Sequence, residues 1–369
     1  MQAARFRSLI DAEGPFASVY VDNSHDTADA QKQAELRWRA IAEDLNTQGA
    51  DTELIDGVWR VLREQPAAVG RGGLGVIVNH DVHVVEQLIR PPEQPMARVS
   101  KLPFLIPAIV HGRNRTPYLV VAVDHHGADI AVRTANRAEE LRVEGAGYPV
   151  HKARSADTPG YGDPQRTADA ARGKNMQQIA DRVVATVDDT APEVVFVVGE
   201  VSSRTDLLGA LPDRVATKVT EINAGARGSI DAATLQHEIE TTLQLRRAAV
   251  IDTAAQAFVA ERERASGLAT EGLAGVCAAL REGAVETLII GEIADETVLM
   301  GDSPTMVAPN ADVLSELGAG RSSTVRVDEA LPFAALSIDS GLVGMDERLT
   351  PKDGVAAILR YAPRSAAGR

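Results

Sequence analysis

Residues 192–200 read PEVVFVVGE, a short continuous apolar run that reads as a buried strand. Such a strand constrains the fold because other apolar elements must cover it. Its neighbours in the chain supply them. Strand YLVVAVD (118–124) turns through His125-His126-Gly127 into ADIAVR (128–133). A long turn-rich loop then leads to a helix that is apolar at helical spacing through Met176, Ile179, Ala180, Val183 and Val187. After the run at 192–200 come a short helix, SRTDLLGALP (203–212), and a strand, VATKVTEI (215–222). Strand, hairpin, loop, helix, strand, helix and strand in that order make an α/β unit.

The chain before it opens with strand FASVYVD (16–22), then helices from about Thr27 to Asn46 and from Asp51 to about Gln65. Strands 73–79 and 82–88 follow, joined by a tight His80-Asp81 turn. The proline-rich piece 91–107 reads as an extended cover or link, with a boundary near Arg113. Beyond the break at Gly225–Gly228, a long helix starts near Asp231 and ends around Gly267. Its stripe is Leu235, Ile239, Leu243, Val250, Ala254 and Phe258. A helix at 270–282 and strands at 285–292, 297–300, 324–327 and 333–338, with a short helix at 311–316, predict a further α/β domain. The tail from Ala362 to Arg369 reads as disordered.

At 369 residues the chain has room for two or three domains. It has no run of about 18 apolar residues, so no membrane span is expected, and MQAARFRSLIDAEGP has no signal-peptide core. The single cysteine, Cys277, excludes an intramolecular disulfide framework and fits a reducing cytoplasm. It shares an apolar helix face with Leu273, Val276 and Leu280, the place of a core residue. A net charge of −14 argues against non-specific coating of nucleic acid. A local basic patch is still available in the acid-free stretch 94–123, with Arg98, Lys101, Arg113 and Arg115.

The chemistry concentrates at 145–182. The loop there carries His151, Lys152 and Arg154, runs through Tyr161, Gly162, Asp163 and Gln165, and enters a helix beginning with Arg166, Arg172, Lys174 and Asn175. Cations near a helix N-terminus are disfavoured by its dipole, which makes sense if an anion docks there. A solvated loop with ordinary helix charges fits equally, since Asp157, Asp163 and Asp169 lie in the same stretch. Elsewhere no catalytic constellation stands out. Asp124, His125, His126 and Asp129 hint at a metal, but Asp and Gly are also what a hairpin turn needs. The glycines at 72, 73 and 75 lead into a strand, not a helix, and Ser18, Ser202 and Ser203 sit in no nucleophile motif. No metal and no cofactor are expected.

The order of these pieces resembles the archaeo-eukaryotic class-1 release factor and Pelota family, in its bacterial, actinobacterial branch. VAVDHHGADIAV (121–132) matches the family's strand pair with an Asp-x-x-Gly turn, and GLAGVCAALREGAVETLIIGE (272–292) its third-domain pattern. EGPFASVYVD, GYPVHK, PEVVFVVGEV, RTDLL and DEALPFAAL resemble the same branch. The resemblance implies a three-domain α/β architecture. Residues 1–112 would enter the decoding centre. Residues 113–228 would aim a loop at the peptidyl-transferase centre. Residues 229–369 would face a translational GTPase, in bacteria elongation factor Tu. The same broad family includes the ribosome-hibernation factor Balon.

Release factors carry Gly-Gly-Gln at the loop tip; this chain has GYGDPQ at 160–165. Pro164 removes an N–H and Asp163 adds negative charge where ester hydrolysis develops an oxyanion. The Asn-Ile-Lys-Ser stop-codon motif is also missing. The expectation is therefore a non-hydrolytic A-site factor that contacts rRNA of the 70S ribosome and protects vacant or stalled particles. The alternatives are a peptidyl-tRNA hydrolase with Gln165 placing the water, and a stress-linked interaction protein.

Overall fold

The computed structural model describes residues 3–24, 30–65, 72–112, 116–134, 138–145, 164–318 and 321–363. It is a mixed α/β chain in two compact units, one made of residues 1–113 and 248–369 and the other of 114–247.

The chain begins with a short helix, α1 (Arg7–Ile10), and strand β1 (Phe16–Asp22). Helix α2 (Ala30–Thr47) and helix α3 (Thr52–Glu64) follow. Asp51 caps α3 by accepting from the Leu54 N–H. Strands β2 (Gly73–Val78), β3 (His83–Leu88) and β4 (Met96–Ser100) complete an antiparallel sheet of order β3-β2-β1-β4. Alternation along β1 serves two cores: Ala17, Val19 and Val21 face α2 and α3, while Phe16 and Tyr20 join the opposite cluster. The proline-rich piece is more than a link. Its prolines flank residues 96–100, whose free backbone groups pair with β1 as an edge strand. It ends in helix α4 (Ile106–His111).

The second unit contains strands β5 (Tyr118–Val123), β6 (Gly127–Arg133) and β7 (Ala138–Glu144), then helix α5 (Pro164–Thr190). Strand β8 (Val194–Gly199), helices α6 (Val201–Ala210) and α7 (Asp213–Ala216), and strand β9 (Val219–Ile222) follow. The two-residue strands β10 (Gly225–Ala226) and β11 (Ser229–Ile230) lead into helix α8 (Ala232–Glu263). The sheet order is β7-β6-β5-β8-β9, with β5, β8 and β9 parallel and the β5-β6-β7 meander antiparallel. The predicted stripe on α5 is buried against one face, with Leu119, Val121, Val195 and Val197. Leu235, Ile239 and Leu243 of α8 cover the other face over Phe196 and Val198. That double cover is why β8 reads as an unbroken apolar run. Strand β7 went unpredicted because it is an edge strand, charged at alternate positions and half-buried at the rest. Val215 lies in α7, so the last strand starts at Val219.

Ala254 and Phe258 of α8 pack in the first unit, but Val250, predicted on the same stripe, is exposed and belongs to neither core. The remaining elements are β12 (Ala269–Glu271), α9 (Gly272–Arg281), β13 (Val285–Ile290), β14 (Thr297–Met300) and β15 (Val307–Ala308). After them come α10 (Ala311–Glu316), β16 (Ser323–Arg326), α11 (Val327–Ser337), β17 (Gly341–Gly344) and β18 (Val355–Leu359). They build sheets of order β12-β18-β13-β17 and β15-β14-β16. The strand predicted at 333–338 is a correction: residues 333–337 continue α11, whose positions 327–336 are all buried, and Ile338 is its C-cap. Beyond Asp328 and Glu329 the buried run from Ala330 to Leu336 has no polar position, and so short an apolar run mimics a strand. Phe6, Leu9, Tyr20 and Leu105 share one core with Val276, Cys277, Leu280, Leu288 and Leu331, so the first and last parts of the chain fold together. Burial pushes the Cys277 thiol up to about 12, as expected of an inert core cysteine.

Candidate functional site at one end of the middle sheet

The β5–β6 turn is the foundation of the site. The Asp124 carboxylate accepts from the N–H groups of His126 (2.7 Å) and Gly127 (2.8 Å), and its own N–H donates to the Gly127 carbonyl. This Asx-type closure explains the Asp-x-x-Gly spacing. Gly127 must be glycine, because a Cβ there would lie 2.2 Å from the Val143 carbonyl oxygen.

Arg227, from the β10–β11 connection, locks the turn to β6 and β7. Its guanidinium makes two 2.9 Å bonds to Asp129 and one of 3.1 Å to Glu144, and lies 3.5 Å from Asp124. Only 7% of its side chain is exposed. The Arg227 hydrogen bond holds the Asp129 carboxyl below the usual carboxylate range. Arg142 and then Arg227 do the same for Glu144, while Asp129 raises Arg227. Among the described residues no group of three or more His, Cys, Asp or Glu is arranged to hold a metal ion.

The segment 146–163 leaves this foundation from Gly145 and returns into α5 at Pro164. The Gly145 N–H donates to the His126 carbonyl at 2.7 Å. Asn175 of α5 is 2% exposed and donates through Nδ2 to the His125 carbonyl at 3.3 Å. The outgoing strand, the turn and the returning helix therefore meet at one point.

His151, Lys152, Arg154, Tyr161, Gly162 and Asp163 lie outside the described residues, as do Arg113 and Arg115. Gln165 and Arg166 fall in the first turn of α5. Arg172 and Lys174 are exposed on its next turns. Arg172 is in helical line with Met176 and Ile179, which are buried, but is itself exposed. Arg98 and Lys101 belong to the other compact unit. Lys101 is exposed. Arg98 is not a free surface cation: it bonds Asp328 at 3.0 Å and Glu329 at 3.1 Å, and its guanidinium lies 3.7 Å from the centroid of the Phe104 ring. An arginine between two largely buried carboxylates is held by the fold.

Sequence reasoning missed the surroundings of His125. Its ring meets Ser202 at 3.2 Å through Nε2 and Ser203 at 3.4 Å through Nδ1, with Asp206 3.9 Å from Nδ1. The serines stand on the first turn of α6. Gly199 (φ 149°) makes the turn from β8 into that helix, and a Cβ there would lie 2.2 Å from the Val123 carbonyl oxygen. No local motif marks this cluster, because Ser202 lies 77 residues from His125.

The chain belongs to the bacterial archaeo-eukaryotic release factor family 2, whose family model matches residues 117–264. It is 45% identical over 370 residues to the uncharacterized protein Rv2629 of Mycobacterium tuberculosis H37Rv, covering 100% of this chain and 99% of that one. The uncharacterized protein MT2704 of M. tuberculosis CDC 1551 matches to the same extent. Similar solved structures include ribosome-bound archaeal Pelota, 15% identical over 98% of this chain and 94% of that one, with a TM-score of 0.43. An archaeal translation termination factor is 14% identical over 98% and 97% of the two chains, with a TM-score of 0.26.

Proposed function

We propose that this chain is a ribosome-binding translation factor that occupies the A site without hydrolysing peptidyl-tRNA, and so protects or parks vacant or stalled 70S ribosomes. Membership of the release factor family supports the ribosome as its partner. The observation that carries the non-hydrolytic part is the position of Gln165. It lies within the first turn of α5, directly after Pro164. Proline suits the first helical position, and a glutamine following it has helical backbone angles in place of the freedom of a Gly-Gly-Gln tip. Asp163 adds a carboxylate where a developing oxyanion is disfavoured.

Docking follows from charge. Arg172 and Lys174 are exposed, and the adjoining segment carries His151, Lys152 and Arg154. With Arg166, these are the cations that the sequence offers for contact with rRNA phosphate on an otherwise acidic chain. The Gly145–Asn175 junction fixes the root of that segment. The acidic C-terminal part would meet a translational GTPase such as elongation factor Tu. Co-sedimentation of the purified chain with 70S ribosomes, followed by a peptidyl-tRNA release assay, tests the reading.

A further inference from the structure

A second chemistry is assembled beside the anchored turn. We propose that Ser202 is a nucleophile activated by His125, giving the chain an acyl-transfer site for short, uncharged carboxylic esters. This goes beyond ribosome binding, and its reacting groups, Ser202 and His125, are not among the residues proposed to meet rRNA.

The geometry has three parts. Ser202 is exposed, and its Oγ is 3.2 Å from His125 Nε2, within reach of a general base. The imidazole is held in place: its side chain is 17% exposed, its backbone carbonyl accepts from Asn175, and its Nδ1 faces the Ser203 hydroxyl at 3.4 Å. Asp206 lies 3.9 Å from Nδ1, the ring nitrogen opposite the one that faces Ser202. Nδ1–H as donor and Nε2 as acceptor is the tautomer these neighbours favour.

The third part is the start of α6. Its N-cap, Glu200, makes no side-chain cap, and the first N–H groups of a helix have no partner within it. A tetrahedral oxyanion formed on Ser202 would lie beside those donors. The site stands at the carboxyl ends of the adjacent parallel strands β5 and β8, where open sheets receive small ligands. Val201 is 67% exposed and gives an apolar contact for the acyl group. Glu200 and Asp206 disfavour an anionic substrate.

In the reaction, Ser202 Oγ bonds the ester carbonyl carbon and its proton passes to His125 Nε2. The C–O bond to the leaving alcohol breaks, and that oxygen takes the proton. Water then attacks the acyl-serine, again through His125, releasing the acid and restoring Ser202. Ester and water become acid and alcohol.

A fluorophosphonate probe tests the first step on the full chain, because Oγ–P forms as P–F breaks and fluoride leaves. Tryptic mass spectrometry locates the label, and p-nitrophenyl acetate hydrolysis supplies turnover. The expected label is on Ser202. It disappears in Ser202→Ala, an exposed position where the fold is kept, and slows roughly 100-fold or more in His125→Gln. Circular dichroism confirms that both variants are folded. Gln165→Ala should label at the wild-type rate, which separates this site from the loop. A wild type without label, a label on another serine, or an unchanged rate in folded His125→Gln overturns the proposal.

Discussion

Gly145 and Asn175 interlock: a Cβ on Gly145 would lie 2.4 Å from Asn175 Cγ and 2.5 Å from its Oδ1. The residue that launches the 146–163 segment therefore has no side chain because the helix that receives the segment fills that space. Among the described residues, Asn175 Oδ1 is buried with no hydrogen-bond partner. Gly145→Ala should destabilise the middle unit by about 1–3 kcal/mol, the usual cost of overpacking. Urea denaturation measures it, and ribosome affinity should fall in the same variant. Wild-type stability and affinity in Gly145→Ala would show that the junction is slack.

Arg227 makes the site sensitive to acid. The folded-state pKa values of Asp129 and Glu144 are depressed, so the stability they contribute is present above the ordinary carboxylate range, about pH 4. It is lost as pH falls through their lower folded values. Arg227→Gln should be less stable than the wild type at pH 7, with the gap narrowing as pH falls below about 4. A gap that stays constant with pH would mean that Arg227 acts through packing alone.

Basic residues at the start of α5 should set the salt dependence of ribosome binding. Changing Arg166, Arg172 and Lys174 together to Glu should weaken binding strongly and leave the fold intact. Each lost phosphate contact should also flatten the slope of log affinity against log salt by about 0.7 to 0.9. Unchanged affinity in the triple variant would exclude this helix as the docking surface.

Cys277 should be silent. With its thiol pushed up to about 12, it should resist alkylation in the native chain and react at once in denaturant. Cys277→Ser should retain ribosome binding. Leu280→Ala, in the same core, should cost about 2–5 kcal/mol through the cavity it leaves. Fast alkylation of the native protein would contradict the core assignment.

Elements whose periodicity has one reading were legible in the sequence. The α5 stripe and the apolar run of β8 are examples, each set by a single buried face or by burial on both. Helix α11 was not, because total burial erases the polar face that distinguishes helix from strand. Strand β7 was hidden by the charges that protect a sheet edge. At the site, the turn and the basic helix start were visible as local patterns. The surroundings of His125 and the Arg227 lock were not, since they join residues about 80 to 100 positions apart whose meeting only the sheet topology decides. Asn175 stood among cations in the sequence, yet the helical turn directs it inward.

Ribosomes of the 70S class carrying labelled peptidyl-tRNA, with the purified wild type and Gln165→Ala added side by side, separate occupancy of the A site from hydrolysis. Both proteins should co-sediment with the ribosome, and peptide release should stay at the background rate with either. Peptide release by the wild type that falls in Gln165→Ala, as loss of a transition-state interaction would make it, or failure of the wild type to co-sediment at low salt, would contradict non-hydrolytic occupancy of the A site.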